Sequence, residues 1–497
     1  MSANSNFGKF CLFVSNWLSM ATFGYHFTTI NPSIPSLKTA FNQTYIDRYG
    51  VAMPKLTETA VITLAASFTI LGSLLGGIVC RFLLLVWSRK RVLQFAHVQL
   101  LLAVILMALV TGITKSYETF IIGRFLLGLS IGQGFALVPI VTVETCSKDT
   151  QVLWQSGNGT AIVGGVVIAL ALGNPLALGN LKYWPVLIGL GAFPSILYLI
   201  SSYWFTETPY YLLRNQKEKN AFDALKKLRN GSKLHFLFFC PNNKQDEIKK
   251  EITEIQGEIK EIEQVGMKEI LKTPHYRKQL LAMFAVYANT QITGINSITI
   301  YSDLMFIEAG VPADKVTYAS LGVFVLGFIS GILGSRAVGR FGGLRVTIAG
   351  NIVVIFSIIL FTICRATSHL APTVLPYITI IALALFVIAW SGGLNLTIMP
   401  LASCYTTEAT RVTILGYGSS FLWFNSWFVS FLPPYLQIYL GPYSMMIWLG
   451  FAIFFLVYFI VCLPPVKGKT AEEILEIFKG NHTTPNNKLL EQQTSTM

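Results

Sequence analysis

Long apolar runs separated by short polar breaks fill this chain from Lys9 to Leu463, and the runs set its elements. A helix of about 18 or more apolar residues reaches across a hydrocarbon core of roughly 30 Å. Twelve such spans are predicted, at 10–30, 57–82, 92–113, 119–141, 158–178, 184–204, 278–302, 316–337, 345–364, 374–402, 412–434 and 441–463. The runs are continuous rather than alternating, which argues against a β-barrel. Many are rich in Gly, Ser and Thr, as helices that pack on helices in lipid tend to be. The pattern predicts an all-α membrane protein.

Residues 207–277 break the apolar rhythm. The stretch "NAFDALKKLRNG" reads as a short amphipathic helix ending at Gly231. Beyond it, Ile248, Ile252, Ile255, Ile259 and Ile262 recur every three or four residues with charges between them. That spacing makes one apolar face and one wet face. It predicts surface helices lying under the bundle, with a partner-binding coiled coil as the alternative. The chain then divides into a six-span half at 1–206, a linker at 207–277, a second six-span half at 278–464 and a tail at 465–497. The halves echo each other: "PIVTVETCSKDTQ" follows span four and "PLASCYTTEATR" follows span ten. In the first, Glu144 and Gln151 are seven apart; in the second, Cys404 and Arg411 are. Internal repeats of this kind mark transporters, whose substrate site lies near the midplane between the repeats. They favour a transporter over a receptor or a membrane enzyme.

Composition agrees with burial in lipid. The 497 residues are 53% hydrophobic and 12% charged, with a mean hydropathy of +0.57, where a soluble protein carries about 25% charge. The formal charge of +13 raises the question of nucleic acid. With both termini cytoplasmic, most of the Lys and Arg fall on the cytoplasmic side, including Arg89, Lys90 and Arg91, the linker and the tail. The positive-inside rule accounts for that bias without an acidic partner, so no nucleic acid is expected. The chain leads from Lys9 directly into a full-length span, so no cleavable signal is read. Of Cys11, Cys80, Cys146, Cys240, Cys364, Cys404 and Cys462, all but Cys364 fall toward the cytoplasmic side, which leaves no outer disulfide pair. The sequon at Asn42 lies on a predicted outer loop and is the expected glycosylation site. Those at Asn158, Asn230, Asn395 and Asn481 are expected to be silent. The chain has no P-loop, and its six histidines show no metal-ligand spacing, so neither an enzyme nor a cofactor is expected. The expected partners are a small solute and the lipid bilayer, and the expected location is the plasma membrane, as a multi-pass protein.

One span is oddly polar. "NTQITGINSITIYS", Asn289 to Ser302, carries Asn289, Thr290, Gln291, Thr293, Asn296, Ser297 and Thr299 between apolar flanks. Polar side chains survive at membrane depth where they face a cavity or each other. Both a solute cavity and interhelical hydrogen bonds fit this face.

The same residues carry a resemblance. "FGYHFTTINP" in span one is similar to an FGY-x4-IN-x-P stretch, and "GRFLLG" opens span four. "TETPYYLL" stands in place of PESPRFL, "QITGINSITIYS" in place of QQLSGIN-x3-YYS, and "GPYSMMI" and "PPVKGKTAEEI" match a last helix and a PETKG tail. In this order and at these spacings, over about residues 23–474, they resemble the sugar porter family of the major facilitator superfamily, most of all its GLUT-type facilitative hexose transporters. The resemblance implies the major facilitator fold of two six-helix halves and a central sugar site. It implies a break in span seven at Gly294, and sugar contacts from Gln291, Asn296 and Trp423. Thr290 stands for the first of two glutamines, and Asn425 is a substitute for an Asn that is here Leu422.

Departures from the family pattern set further expectations. Gly159 replaces a sugar-binding Gln, Gly327 an Asn, Ser391 an acid and Met399 a Trp, and the two glycines are expected to enlarge the cavity. Of the inner gating charges Glu144, Glu207, Arg340 and Arg411 remain, whereas Gln151, Cys404, Gly339 and Tyr210 replace charged residues. A weaker inner gate follows. His26 occupies the position where proton-coupled members carry Asp, facing Arg124. Burial and the neighbouring guanidinium both disfavour an imidazolium, so His26 is read as a neutral spacer in a uniporter, with a proton-coupled symporter and a non-transporting sensor as alternatives.

Overall fold

The computed structural model describes residues 3–146, 148–229, 245–261, 265–467, 469 and 471–480. Asn230, His235, Cys240, Ile262, Asn481 and His482 lie outside them, as do the side chains of Cys11, Gln151, Ile259 and Met399. All regular structure among the described residues is helical. Eight helical runs are long and apolar enough to cross a membrane. They are spans two, three, four, six, eight, nine and ten, and one run, Ala409–Cys462, that holds spans eleven and twelve. Gly157–Leu172 is a shorter apolar helix at span five. Span one is helix Ala3–Thr28, and span seven is the pair Pro274–Ile292 and Ile295–Glu308. The perimeter is apolar, with Leu102, Phe356 and Phe454 each more than half exposed, as lipid-facing side chains are.

Spans two and four, one and five, and three and four pack together in the first half. Spans nine and ten, seven and eleven, and eight and ten do so in the second. The halves meet along two long seams, span two against span eleven and span five against span eight. Glycines let these helices approach. At Gly24 of span one a Cβ would stand 1.8 Å from the Ile162 carbonyl oxygen of span five, a distance only a bare backbone permits.

The end of the bundle that carries residues 207–277 and the helix Ala471–Lys479 is termed the inner end. Helices Pro209–Arg214, Glu218–Arg229 and Gln245–Glu261 form a small apolar cluster there from Leu212, Leu213, Ala221, Ala224, Leu225, Ile248 and Ile255. Helix Ala471–Lys479 lies against spans seven and ten, with Ile474 and Phe478 buried and Lys278 Nζ donating to the Phe478 carbonyl at 2.7 Å.

At the outer end the structure corrects one expectation. After Thr29 the chain does not enter a loop but continues as helix Ile30–Tyr49, closed by Gly50 at φ 72°. Pro32 sits in its first turn, where no intrahelical N–H is required. Asn42 therefore lies on a helix, and its Oδ1 accepts from the Met53 backbone N–H at 2.8 Å.

Candidate functional site

Span seven breaks where its glycine stands. Thr293 and Gly294 form a turn between the two helices, with Gly294 at φ +104°, a backbone region that favours glycine. A Cβ there would also meet Trp448 Cδ1 at 3.0 Å. The break brings the polar residues on its two sides together. Asn296 Nδ2 lies 3.1 Å from Gln291 Oε1 and 2.6 Å from Ser426 Oγ of span eleven. One turn from Ser426 on the same helix is Trp423, since residues three apart share a face. Trp423 is met edge-on by two rings of the other half, Phe23 of span one at 5.4 Å and Phe135 of span four at 5.1 Å. All of these polar groups and the indole are buried, and Trp423 Nε1 has no partner among the described residues. Gln291, Asn296 and Trp423 thus form one cluster at the interface of the halves.

The other two predicted solute contacts are placed differently. Thr290 spends its hydroxyl on the Val286 carbonyl at 2.9 Å, and its own carbonyl accepts Trp390 Nε1 at 2.8 Å. Asn425 Nδ2 donates to the Phe421 carbonyl at 2.7 Å. Both side chains satisfy their own helix. Residues absent from the expected site are Ser426, Phe23 and Phe135, and also Asn289, whose two amide atoms are buried without a partner. Phe23 had a signal, as the first residue of the FGY stretch. Ser426 had none.

The expected enlargement at Gly159 and Gly327 is not what the structure shows. A Cβ at Gly159 would lie 3.2 Å from Asn395 Nδ2 and 3.6 Å from Leu396 Cδ2. At Gly327 it would meet Val387 Cγ1 at 2.6 Å and Ser391 Oγ at 3.1 Å. Side chains of span ten occupy the space that larger side chains on spans five and eight would need.

The residues expected at an inner gate fall into two groups. Glu144 pairs with Arg89 at 3.2 Å, both side chains largely buried, and Arg89 also lies over the Tyr211 ring. Glu207 accepts from the Lys90 backbone N–H at 3.1 Å, while Lys90 Nζ reaches the Phe205 carbonyl at 2.9 Å. These contacts join residues of the first half to one another and to the start of the linker. Arg340 lies over the ring of the adjacent Phe341, and Arg411 Nη2 donates to the Thr406 carbonyl at 3.1 Å. At the outer end the halves are joined. Asn31 Nδ2 donates to Ser302 Oγ at 3.0 Å and to Asp303 Oδ1 at 3.1 Å, and Asp303 also accepts from Ser320 and from Thr317.

Arg124 is buried with its Nη1 on the His26 carbonyl at 2.7 Å and its Nε on the Ala65 carbonyl at 2.8 Å. The guanidinium therefore meets the His26 backbone rather than a carboxylate. The imidazole is wholly buried, its ring edge-on to Tyr25 and close against Gly191, where a Cβ would stand 2.3 Å from it.

Comparison with known proteins places this architecture. A family model described as "Sugar (and other) transporter" matches residues 11–478. Mouse "Solute carrier family 2, facilitated glucose transporter member 7" is 25% identical over 92% of this chain and 87% of its own length. Human member 5 is 27% identical over 92% and 89%. Among solved structures, the Escherichia coli xylose transporter XylE in a partially occluded inward open conformation superposes with a TM-score of 0.74 at 16% identity, covering 92% of this chain and 99% of that one. The proton:xylose symporter XylE bound to 6-bromo-6-deoxy-D-glucose gives 0.75 at 18% identity, over 95% and 99%. These likenesses give the helical bundle the major facilitator fold, twelve membrane-crossing helices in two halves of six. With its fold and with nearly all of its length matched, the chain belongs to the sugar (and other) transporter family.

Proposed function

We propose that this chain is a facilitative carrier, a uniporter, that moves a hexose or related small polar organic solute by alternating access. The observation that supports it most is the cluster of Gln291, Asn296, Ser426 and Trp423, closed over by Phe23 and Phe135 of the other half. Amides and hydroxyls offer both donors and acceptors, which suits a polyol, and an aromatic face suits the apolar side of a sugar ring. A site shared by two halves is open to one side or the other as the halves rock. The names of the relatives, facilitated glucose transporters, agree with this solute class.

Uniport rests on Arg124 and His26. Arg124 is held by backbone carbonyls rather than facing a carboxylate, and the His26 ring beside it is packed against Tyr25 and Gly191. His26→Asn is expected to preserve transport. In this reading Glu144, Glu207, Arg340 and Arg411 work at the inner gate. Residues 1–206 and 278–464 are the moving halves, joined by the linker 207–277, and 465–497 is the tail. Both termini are cytoplasmic, the site of action is the plasma membrane, and Asn42 carries the glycan. Asn42→Gln should then collapse the glycosylated band entirely.

Counterflow of labelled D-glucose and D-fructose in proteoliposomes tests the proposal. A carrier accumulates label transiently against unlabelled sugar inside. Binding without counterflow would make the chain a sensor, and accumulation driven by an imposed proton gradient and lost in His26→Asn would make it a symporter.

A further inference from the structure

Span ten is interrupted once. Leu375–Ala389 is α-helical, Trp390–Leu394 forms one π turn, and the α-helix resumes at Asn395. A π turn holds an extra residue, so side chains beyond it are rotated relative to those before it, and such bulges concentrate at functional sites. The turn is pinned on both sides. Trp390 Nε1 bonds span seven at the Thr290 carbonyl. Gly392 is so close to span eight that a Cβ would stand 2.2 Å from Ser330 Oγ.

The first residue after this turn is Asn395, and it faces the other half. Its Nδ2 lies 3.2 Å from where a Cβ of Gly159 would be. That nitrogen is buried and has no hydrogen-bond partner among the described residues. Counted at 1.5 Å per residue, Asn395 lies about 15 Å from the inner end of its helix at Tyr405, and Gly159 about 16 Å from Lys148. Trp423 is about 22 Å from Glu408 by the same count, so Asn395 sits roughly one turn to the inner side of the aromatic cluster.

We propose that Asn395 is a solute-binding residue, and that its amide takes over from span ten the place that a glutamine on span five holds in the family pattern. The exchange is visible at both positions. Where that pattern has Gln, this chain has Gly159. Where "SGGLNLTIMP" runs against E-x-GPGPIPW, Asn395 stands at the second glycine of GPG. The amide at this place now comes from the other half, with its Nδ2 3.2 Å from where a Cβ of Gly159 would stand. Trp423 Nε1 is a second buried donor without a partner, and an indole N–H donates only. Both of these donors call for acceptor oxygens, hydroxyl or carbonyl, on the solute. This assignment rests on the carrier reading for its solute class.

The experiment uses the full chain with D-glucose and D-fructose as probes, reading the sugar-induced rise in melting temperature in detergent and counterflow in proteoliposomes. Asn395→Ala removes a donor that has no partner without sugar. Its sugar-free melting temperature is therefore expected to hold or rise. Its sugar affinity is expected to fall about 3- to 12-fold, one hydrogen bond's worth. Gly159→Gln combined with Asn395→Ala returns an amide to span five and should recover affinity to within about twofold. Asn395→Asp, which keeps the shape and loses the Nδ2 donor, should fall like the alanine and decides the matter if the double variant does not fold. Unchanged affinity in Asn395→Ala and Asn395→Asp, or a folded double variant that recovers nothing, overturns the assignment. A wild type that binds neither sugar overturns it too. Binding without counterflow would instead sink the carrier reading while leaving Asn395 to be judged on affinity.

Discussion

Asn31 of the first half holds Ser302 and Asp303 of the second, and Ser320 and Thr317 close round the same carboxyl. At the inner end the charged contacts run differently. Arg89 pairs with Glu144 inside the first half, and Glu207 at the start of the linker takes the Lys90 N–H. Arg340 lies over Phe341, and one bond of Arg411 goes to the Thr406 carbonyl. A contact that does cross between halves toward the inner end is Arg81 over the Tyr417 ring, at 5.2 Å. The two ends use different physics. A hydrogen bond to a carboxylate is directional and contributes about 1.5–3 kcal/mol, whereas an exposed cation over a ring contributes about 0.5–1 kcal/mol and tolerates sliding. Among the described residues the outer end is therefore tied across the halves by hydrogen bonds to a carboxyl group, and the inner end by the looser cation–ring contact.

The largest expected effect comes from cutting the outer tie. Asp303→Ala removes the acceptor that Asn31 reaches across the interface, and should shift the closed–open balance of the outer end by about 10- to 150-fold, following the same 1.5–3 kcal/mol. Backbone amides of Ile30–Tyr49 and Ile295–Glu308 should then exchange with deuterium at least about tenfold faster. Unaltered exchange in both helices would show that the outer bonds do not hold the halves.

Glu144→Gln sharpens the contrast from the other side. It strands Arg89 at a partly buried position, which should lower stability by about 1–3 kcal/mol, less than a fully buried pair would cost. The melting temperature should drop while deuterium exchange at the outer helices stays as in wild type. A change at the outer end would mean that the inner charges couple the halves after all.

A smaller effect is expected at the centre. In a double-mutant cycle of Asn296→Ala and Ser426→Ala, the coupling should be about 0.5–1.5 kcal/mol of stability, the worth of one neutral hydrogen bond. Additive losses would mean that the two side chains do not meet. Smallest of all, Arg340→Ala at an exposed position should change stability by no more than about 0.5 kcal/mol, read from the same melting curves.

Hydrophobic runs alone located the spans, because a bilayer demands length and apolarity and little else. The break in span seven is what the family resemblance implies, and Gly294 at φ +104° adopts the backbone region that glycine permits. The outer extension of span one was not legible. Pro32 falls in the first helical turn, where it is harmless, and the helix runs on through Pro35 to Tyr49. In the site, the family resemblance implies Gln291, Asn296, Thr290 and Asn425. Gln291 and Asn296 meet across the break, whereas Thr290 and Asn425 each bond back to the carbonyl four residues earlier, as short polar side chains can. Asn395 could not be found by scanning along the chain. Its meaning depends on Gly159, more than 200 residues away, and on a π turn that the residues "WSGGL" do not announce.

The claim that the halves are tied more tightly outside than inside is tested most directly by distances between spin labels in lipid nanodiscs. One pair is placed at the exposed outer positions Gln43 and Ile307, the other at the exposed inner positions Arg91 and Arg340. Without sugar, the outer pair should give one narrow, short distance and the inner pair a broader distribution, with Asp303→Ala broadening the outer one. A broad outer distribution beside a narrow inner one in the unsubstituted chain would contradict the account.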